Sequence, residues 1–270
     1  MKQISIFLIF TLVITLLGCK DSDRDQDTST NSSADYATGQ SIMYDVFKLV
    51  HQAALSSKGI TTNNLADTTS LFGCDTLIVD TMSTPKSITI QFNGNCTGNN
   101  AERTGSITAT YSSKYDAIGC VVSISFNNYT YKGYPIGSGN ISYSFTGLSG
   151  TSPIYSYSVN KVQIENSKNQ LLTWSGNQTL TVTGGETTAT ISDDTYSISG
   201  TASGTAFAGN DFSVTINNDL MYLGSCNWIS SGIATVSPEN KPPRLLDFGA
   251  GCDDKASVKI YSIEYEIAIL

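Results

Sequence analysis

Very few side chains in this sequence could carry chemistry. There is one histidine, His51, so a Ser-His-Asp or Cys-His arrangement has a single available base. His51 lies in a stretch of helical periodicity, where a partly exposed helix residue is the simpler reading. The chain contains no HExxH, no phosphate-binding GxxxxGK[ST], no GxGxxG after a strand, and no cysteine and histidine cluster at zinc spacing. Asp193-Asp194 and Asp253-Asp254 do not continue into a calcium-loop pattern and read as polar turns. One enzymatic class needs no signature: hydrolysis of glycosidic bonds by two suitably spaced carboxylates. Asp80, Glu165 and Asp247, in or beside strand-like segments, are its candidates. They define the alternative function, a surface carbohydrate-active hydrolase, beside a non-enzymatic role that needs no catalytic residue, cofactor or metal.

Cys19 has a different chemistry. Met1 and Lys2 form a charged start, residues 4–17 (ISIFLIFTLVITLL) are apolar, and Leu16-Leu17-Gly18-Cys19 closes the run. This is the layout of a secretory signal peptide, and the run falls short of the about 20 residues that a spanning helix needs. The quartet resembles the lipobox of bacterial lipoproteins. That resemblance implies loss of residues 1–18 and acylation of Cys19 as the new N-terminus, giving a stable anchor of two or three chains. An ordinary signal peptide with an incidental cysteine is the competing reading. Residues 19–38 follow as a flexible tether, with Asp21, Asp23, Asp25 and Asp27 alternating and no apolar residue before Ala34. Lys20 stands where enterobacterial lipoproteins retained at the inner membrane commonly carry aspartate. The acidic run is similar to the export signals of surface lipoproteins of the Bacteroidota, or is a plain solvated linker. The expected location is therefore the outer membrane, lipid-anchored and exposed at the cell surface, with a periplasm-facing domain as the alternative.

An exported chain is free to oxidise its other five cysteines. A hairpin turning at Ser83-Thr84-Pro85-Lys86 sets Cys74 opposite Cys96, with Ile78 facing Phe92 and Met82 facing Ile88 on the same side. A second hairpin centred on Glu239 sets Cys226 opposite Cys252, with Trp228, Leu246 and Phe248 sharing the cysteine face. SITIQFNGNC and RLLDFGAGC are alike, so residues 73–97 and 225–253 read as a repeated hairpin stapled at its open end. Each bridge closes a loop of about 20 to 30 residues and contributes about 3 to 4 kcal/mol in the chain-entropy account. Cys120 is left over, either a buried apolar thiol in GCVVSISF, a reactive thiol, or a partner in a different pairing.

These residues need a scaffold, and its class is legible. Over residues 39–58, Ile42, Val46, Leu49, Val50, Ala53 and Ala54 recur at three- and four-residue spacing, which predicts one amphipathic helix laid with its apolar stripe on a sheet and stopped near Gly59. From Leu71 onward the period becomes two: KSITIQF, GSITATY, YSYSVNKVQI, QTLTVT and others alternate apolar with small polar residues between Gly, Asn and Pro clusters. Residues 59–270 are thus an all-β antiparallel domain of roughly a dozen strands, with reversals at Glu165–Asn169 and at Gly184-Gly185.

A net charge of -8 excludes nucleic acid and anionic lipid surfaces as partners. Tyr111, Tyr115, Tyr129, Tyr131, Tyr134, Tyr143, Tyr155, Tyr157 and Trp174 crowd the middle of the chain. As an exposed coplanar stripe they would bind a polysaccharide or an envelope protein; buried under the helix they would be structural. Asp67-Thr68-Thr69, Asp75-Thr76-Leu77 and Asp80-Thr81-Met82 resemble the O-glycosylation sequon of exported Bacteroidota proteins. The lipobox and acidic tether, the helix, SITIQFNGNC followed by ERTGSITATY, LLTWSG and LLDFGAGCDDKASVKIY together resemble a group of uncharacterised Bacteroidota outer-membrane or surface lipoproteins. The resemblance implies one extended twisted antiparallel meander sheet with an N-terminal helix, and it carries no activity. The expectation is an outer-membrane-anchored lipoprotein acting as a non-enzymatic binding or envelope-interaction module.

Overall fold

The structure is a computed structural model that describes residues 29–62, 75–93, 102–185, 188 and 191–270. Cys19, residues 1–28, Cys74, Cys96 and the sequon at Asp67 lie outside the described residues. Among the described residues one α-helix, α1 (Asn31–Ser56), precedes fourteen strands, with a single 3-10 turn at Ile191–Asp193. These are β1 (Thr76–Asp80), β2 (Lys86–Phe92), β3 (Arg103–Tyr111), β4 (Val121–Tyr131), β5 (Tyr134–Pro135), β6 (Asn140–Ser149) and β7 (Ser152–Glu165). β8 (Leu171–Gly184), β9 (Thr195–Thr205), β10 (Asp211–Leu223), β11 (Ile229–Pro238), β12 (Arg244–Ala250), β13 (Lys255–Ile260) and β14 (Ile263–Ala268) complete them. Every strand pairs antiparallel with its sequence neighbours in one sheet, except that the two-residue β5 pairs β4 alone and β4 continues to β6. The sheet is an all-β meander that does not close: β1 and β14 are its free edges.

The reversals follow their turn chemistry. At β7–β8, Asn166 Oδ1 accepts from Lys168 N and Gln170 N at 2.9 and 3.0 Å, and Asn169 takes φ +58°. At the C-terminal hairpin Ala234 faces Leu246 and the turn centres on Asn240 at φ +58°, one residue beyond the expected Glu239. This even slip keeps every side chain on its face. Leu246 and Phe248 are buried, Trp228 is packed against the core, and Cys226 and Cys252 form the expected disulfide at a Cα separation of 5.6 Å.

The N-terminal hairpin corrects its expected register. Ile78 faces Thr89 rather than Phe92, a slip of three residues, and an odd slip turns each side chain to the opposite face. Ile78 and Met82, expected on an apolar face, are 52% and 93% exposed. The five-residue edge strand β1 buries little apolar surface, so alternation in its sequence had nothing to pin the register.

The helix also differs from its expected form. It begins at Asn31, inside the segment read as tether, and it is buried nearly all round rather than on one stripe. Its partners come from widely separated strands. Tyr44 meets Tyr196 of β9 and Tyr222 of β10, Phe47 meets Tyr143 of β6 and Tyr157 of β7, and Asp45 meets Arg103 of β3. The sheet curls around α1, and three polar contacts tie the enclosed helix to it, while Ser33 Oγ, Ser41 Oγ and Tyr44 OH are buried with no hydrogen-bond partner. Gln178 Nε2 donates to Gln40 Oε1 at 2.6 Å, Gln52 Nε2 to Asp194 Oδ2 at 2.7 Å, and Tyr157 OH to the Met43 carbonyl at 2.9 Å. The helix comes close to the sheet at Trp174, fully buried between Gly39 and Gly176. A Cβ on either glycine would lie 2.3 or 2.6 Å from the indole.

Candidate functional site

The two chemistries proposed from sequence meet different ends. His51 is fully buried, not partly exposed: its Nδ1 shares a hydrogen bond with Tyr115 OH, and burial lowers its pKa to about 3. It is a neutral core residue because the curled sheet encloses the helix on every side. Cys120, just before β4, is a buried free thiol donating to the Ser113 carbonyl at 3.6 Å. Among the described residues no cluster of three His, Cys, Asp or Glu side chains is placed to hold a metal ion, and no helix is long and apolar enough to cross a membrane.

The carboxylates Asp80, Glu165 and Asp247 sit on β1, β7 and β12 and are not brought into one site. Asp80 Oδ1 caps its own turn by accepting from Met82 N and Ser83 N, at 2.9 and 3.0 Å. These bonds, with the Ser83 hydroxyl, lower its pKa. Asp247 Oδ1 accepts from Gly249 N at 2.8 Å. Glu165 alone lines the larger cleft described below.

The tyrosines settle as core. Tyr111, Tyr115, Tyr129, Tyr131, Tyr143, Tyr155, Tyr157 and Trp174 are all under 8% exposed, and Tyr134 is half-buried. The buried rings face the concave side of the sheet, where Tyr143 and Tyr155 meet Phe47 edge-on and Tyr155 meets His51 edge-on. An exposed aromatic stripe on the sheet is thereby ruled out: the rings stand on the inward positions of strands that wrap a helix.

Beneath them lies a charged lock. Arg103 donates to both oxygens of Asp45, Nε to Oδ2 at 3.0 Å and Nη2 to Oδ1 at 2.5 Å. Burial by itself would lower the guanidinium pKa; the facing carboxylate overrides it, and the guanidinium stays charged. Tyr129 OH adds a contact to Asp45 Oδ2 at 3.5 Å.

The site with the geometry of a ligand cleft is on the outer surface, where the sheet parts. β4 pairs β6 only from Val121 to Ile124, and β5 rejoins it at Thr130 and Tyr131. Between Ser125 and Asn128 no described strand lies beside β4 on that side. The chain leaving β5 turns instead onto β7: Gly137 N donates to Gln163 O at 2.8 Å and Gln163 N to Ser138 O at 2.9 Å. The opening is a cleft of about 680 Å³. Its floor is Phe126, with Tyr129 stacked below at 5.3 Å between ring centres. Its walls carry Ser125, Asn128, Ser138, Gln163 and Glu165, and Leu171, 48% exposed, stands at the rim.

Three left-handed residues build this split. Asn128 at φ +49° lies in the bulge of β4 opposite Gly105, Lys161 at φ +52° makes the bulge in β7, and Gly139 at φ +147° sits where a Cβ would lie 2.5 Å from Val162 Cα. None of these residues stood out in the sequence. YSYSVNKVQI reads as one uninterrupted strand across Lys161. A second cleft of about 580 Å³ on β12–β14 is walled by Asp247, Asp253, Glu264 and Glu266 around Lys255, whose Nζ contacts Glu266 at 2.8 Å.

Comparisons of this chain with protein-family models, with curated proteins and with solved structures find no match.

Proposed function

We propose that the chain is an outer-membrane lipoprotein, anchored through Cys19 and facing outward, that acts as a non-enzymatic binding or envelope-interaction module for a polysaccharide or an envelope protein. The observation carrying this reading is the occupied interior. Curled sheets that serve small ligands hold them on the concave side. Here that side is filled by α1, with Tyr36, Phe47, His51, Tyr157 and Trp174 at 0 to 2% exposure. Partner recognition therefore falls to the outer face, where the split between β4 and β5 exposes polar side chains over an aromatic floor. The lipobox-like quartet and acidic run at residues 16–27 supply the anchor and the outward address in this reading.

Protease shaving of intact cells, following the folded domain beside a periplasmic control protein, tests it. The outward-facing reading expects loss of the domain while the control survives. Survival of both would put the domain in the periplasm and leave the acidic run a linker.

A further inference from the structure

We propose that the cleft between β4 and β5 is a subsite for one neutral hexose unit of a polysaccharide, with the sugar ring laid on Phe126 and its hydroxyls held by Asn128, Ser138, Gln163 and Glu165. The inference rests on the reading of the chain as a binding module and names the ligand class of that module.

Three features of the cleft converge on this class. The first is its floor. Phe126 is half-buried, lines the cleft while packing against the core, and is stacked on Tyr129, whose ring lies at 13° to it. Tyr129 is in turn fixed between Phe92, 5.4 Å away, and the Asp45 carboxylate. A rigid apolar plane of this kind matches the C–H face of a pyranose and costs little ordering entropy. The second is its walls. Amide and hydroxyl groups dominate, and such groups both donate to and accept from sugar hydroxyls. Ser138 Oγ lies 3.2 Å from Gln163 Oε1, so the two are already oriented toward one another without a ligand.

The third is charge. The lining contains one carboxylate, Glu165, and no lysine, arginine or histidine. A phosphate or uronate would enter beside Glu165 with no cation to meet it, so anionic polymers are disfavoured. The size suits a monosaccharide unit with its neighbours extending out of the cleft, since small-molecule sites run from about 300 to 1,000 Å³. The cleft on β12–β14 has the opposite character, carboxylates around an ion-paired lysine, and it lacks an open aromatic floor because Phe248 is 3% exposed.

The test is calorimetric titration of the purified full chain with hexasaccharides of α-1,4-glucose, β-1,4-glucose, β-1,4-mannose and β-1,4-galactose, and with hexagalacturonate as the anionic probe. At least one neutral hexasaccharide is expected to bind and hexagalacturonate is not. Gln163→Ala is expected to weaken binding about tenfold, the loss of one to two hydrogen bonds. Phe126→Leu, which keeps apolar volume but removes the flat face, is expected to abolish detectable binding. Absence of binding by all four neutral probes, preference for hexagalacturonate, or affinity unchanged in both variants would overturn the subsite. New reducing ends appearing during the titration would sink the non-enzymatic reading and leave the subsite standing. Capture of an envelope protein by a chain that binds no sugar would do the reverse.

Discussion

The inside of the curled sheet and the outer surface around the β4–β5 split treat polar groups in opposite ways. Inside, Asp45 is matched by Arg103, Gln40 by Gln178, and Gln52 by Asp194, and the side chains they lie among are apolar or aromatic. At the split, Ser125, Asn128, Ser138 and Gln163 are exposed, and backbone pairing has been surrendered to leave them room. A buried polar group is costly unless partnered, so the inner set specifies how the helix seats in the sheet. The outer set has no such constraint, and its arrangement is free to serve a ligand.

Breaking the inner set should therefore cost most. Arg103→Leu leaves the Asp45 carboxylate buried opposite an apolar side chain, and the expected loss is about 3 to 5 kcal/mol by urea unfolding. The double variant Asp45→Leu with Arg103→Leu removes both charges and should recover most of that loss. A double variant as unstable as the single one would show that the pair acts by packing rather than by charge. Next comes the contact of Gly39 with Trp174. Gly39→Ala in an exposed helix would gain about 1 kcal/mol. Here the new methyl meets the Trp174 indole, so a net loss of about 2 kcal/mol is expected. A stabilised Gly39→Ala would mean that the helix can withdraw from the sheet.

Acidification probes two carboxylates that tie helix and sheet together. Asp35 accepts from Phe207 N at 2.9 Å, Asp194 accepts from Gln52 and Tyr196 and faces Asp193 and Lys48, and burial raises both to about 6. Their pKa values in the folded chain lie above the unfolded value of 3.8, so the folded state binds protons more tightly. Their contribution is fully present below the unfolded value and is lost as pH rises through about 6. These two groups should accordingly add stability from pH 7.5 to pH 5, by about 1 kcal/mol each after discounting for solvent access. Buried His51 works the other way, because burial holds its pKa at about 3, below the unfolded 6.5. Asp35→Asn with Asp194→Asn should remove the carboxylates' gain, so that the double variant loses more stability on acidification than the parent chain; the same pH dependence in both would assign the gain to other groups.

How much of this contrast was legible in the sequence depends on which signal carried each part. Period-two alternation over β7 to β10 places Tyr155, Tyr157, Leu180, Ile198 and Val214 inward, and the all-β meander follows from it. The C-terminal hairpin came through because an even register slip preserves faces. The N-terminal hairpin did not, because an edge strand exposed on both faces carries no pattern to set its parity. The early start of α1 was hidden by Ser32, Ser33 and Ala37, small residues that look like linker yet are buried where the sheet comes close. The burial of the tyrosines does not follow from their period alone, since period does not say which face of a sheet meets a helix. The cleft was the least visible part: it arises from bulges at Asn128 and Lys161, and although asparagine tolerates positive φ and lysine does not, neither residue marks a bulge by its neighbours in sequence.

The smallest expected effect completes the comparison. Gln163→Ala and Glu165→Ala remove cleft side chains that support no buried group: Gln163 contacts Ser138 at the surface and Glu165 closes the end of β7. Surface substitutions of this kind fall within about 0.5 kcal/mol. Urea unfolding of each variant should match the parent chain within that margin while sugar affinity falls. A loss above 1 kcal/mol in either variant would mean that the cleft walls hold the β5–β7 crossover in place. The split would then belong with the inner network as part of the architecture, and the division between a surface free for recognition and an interior committed to seating the helix would not hold there.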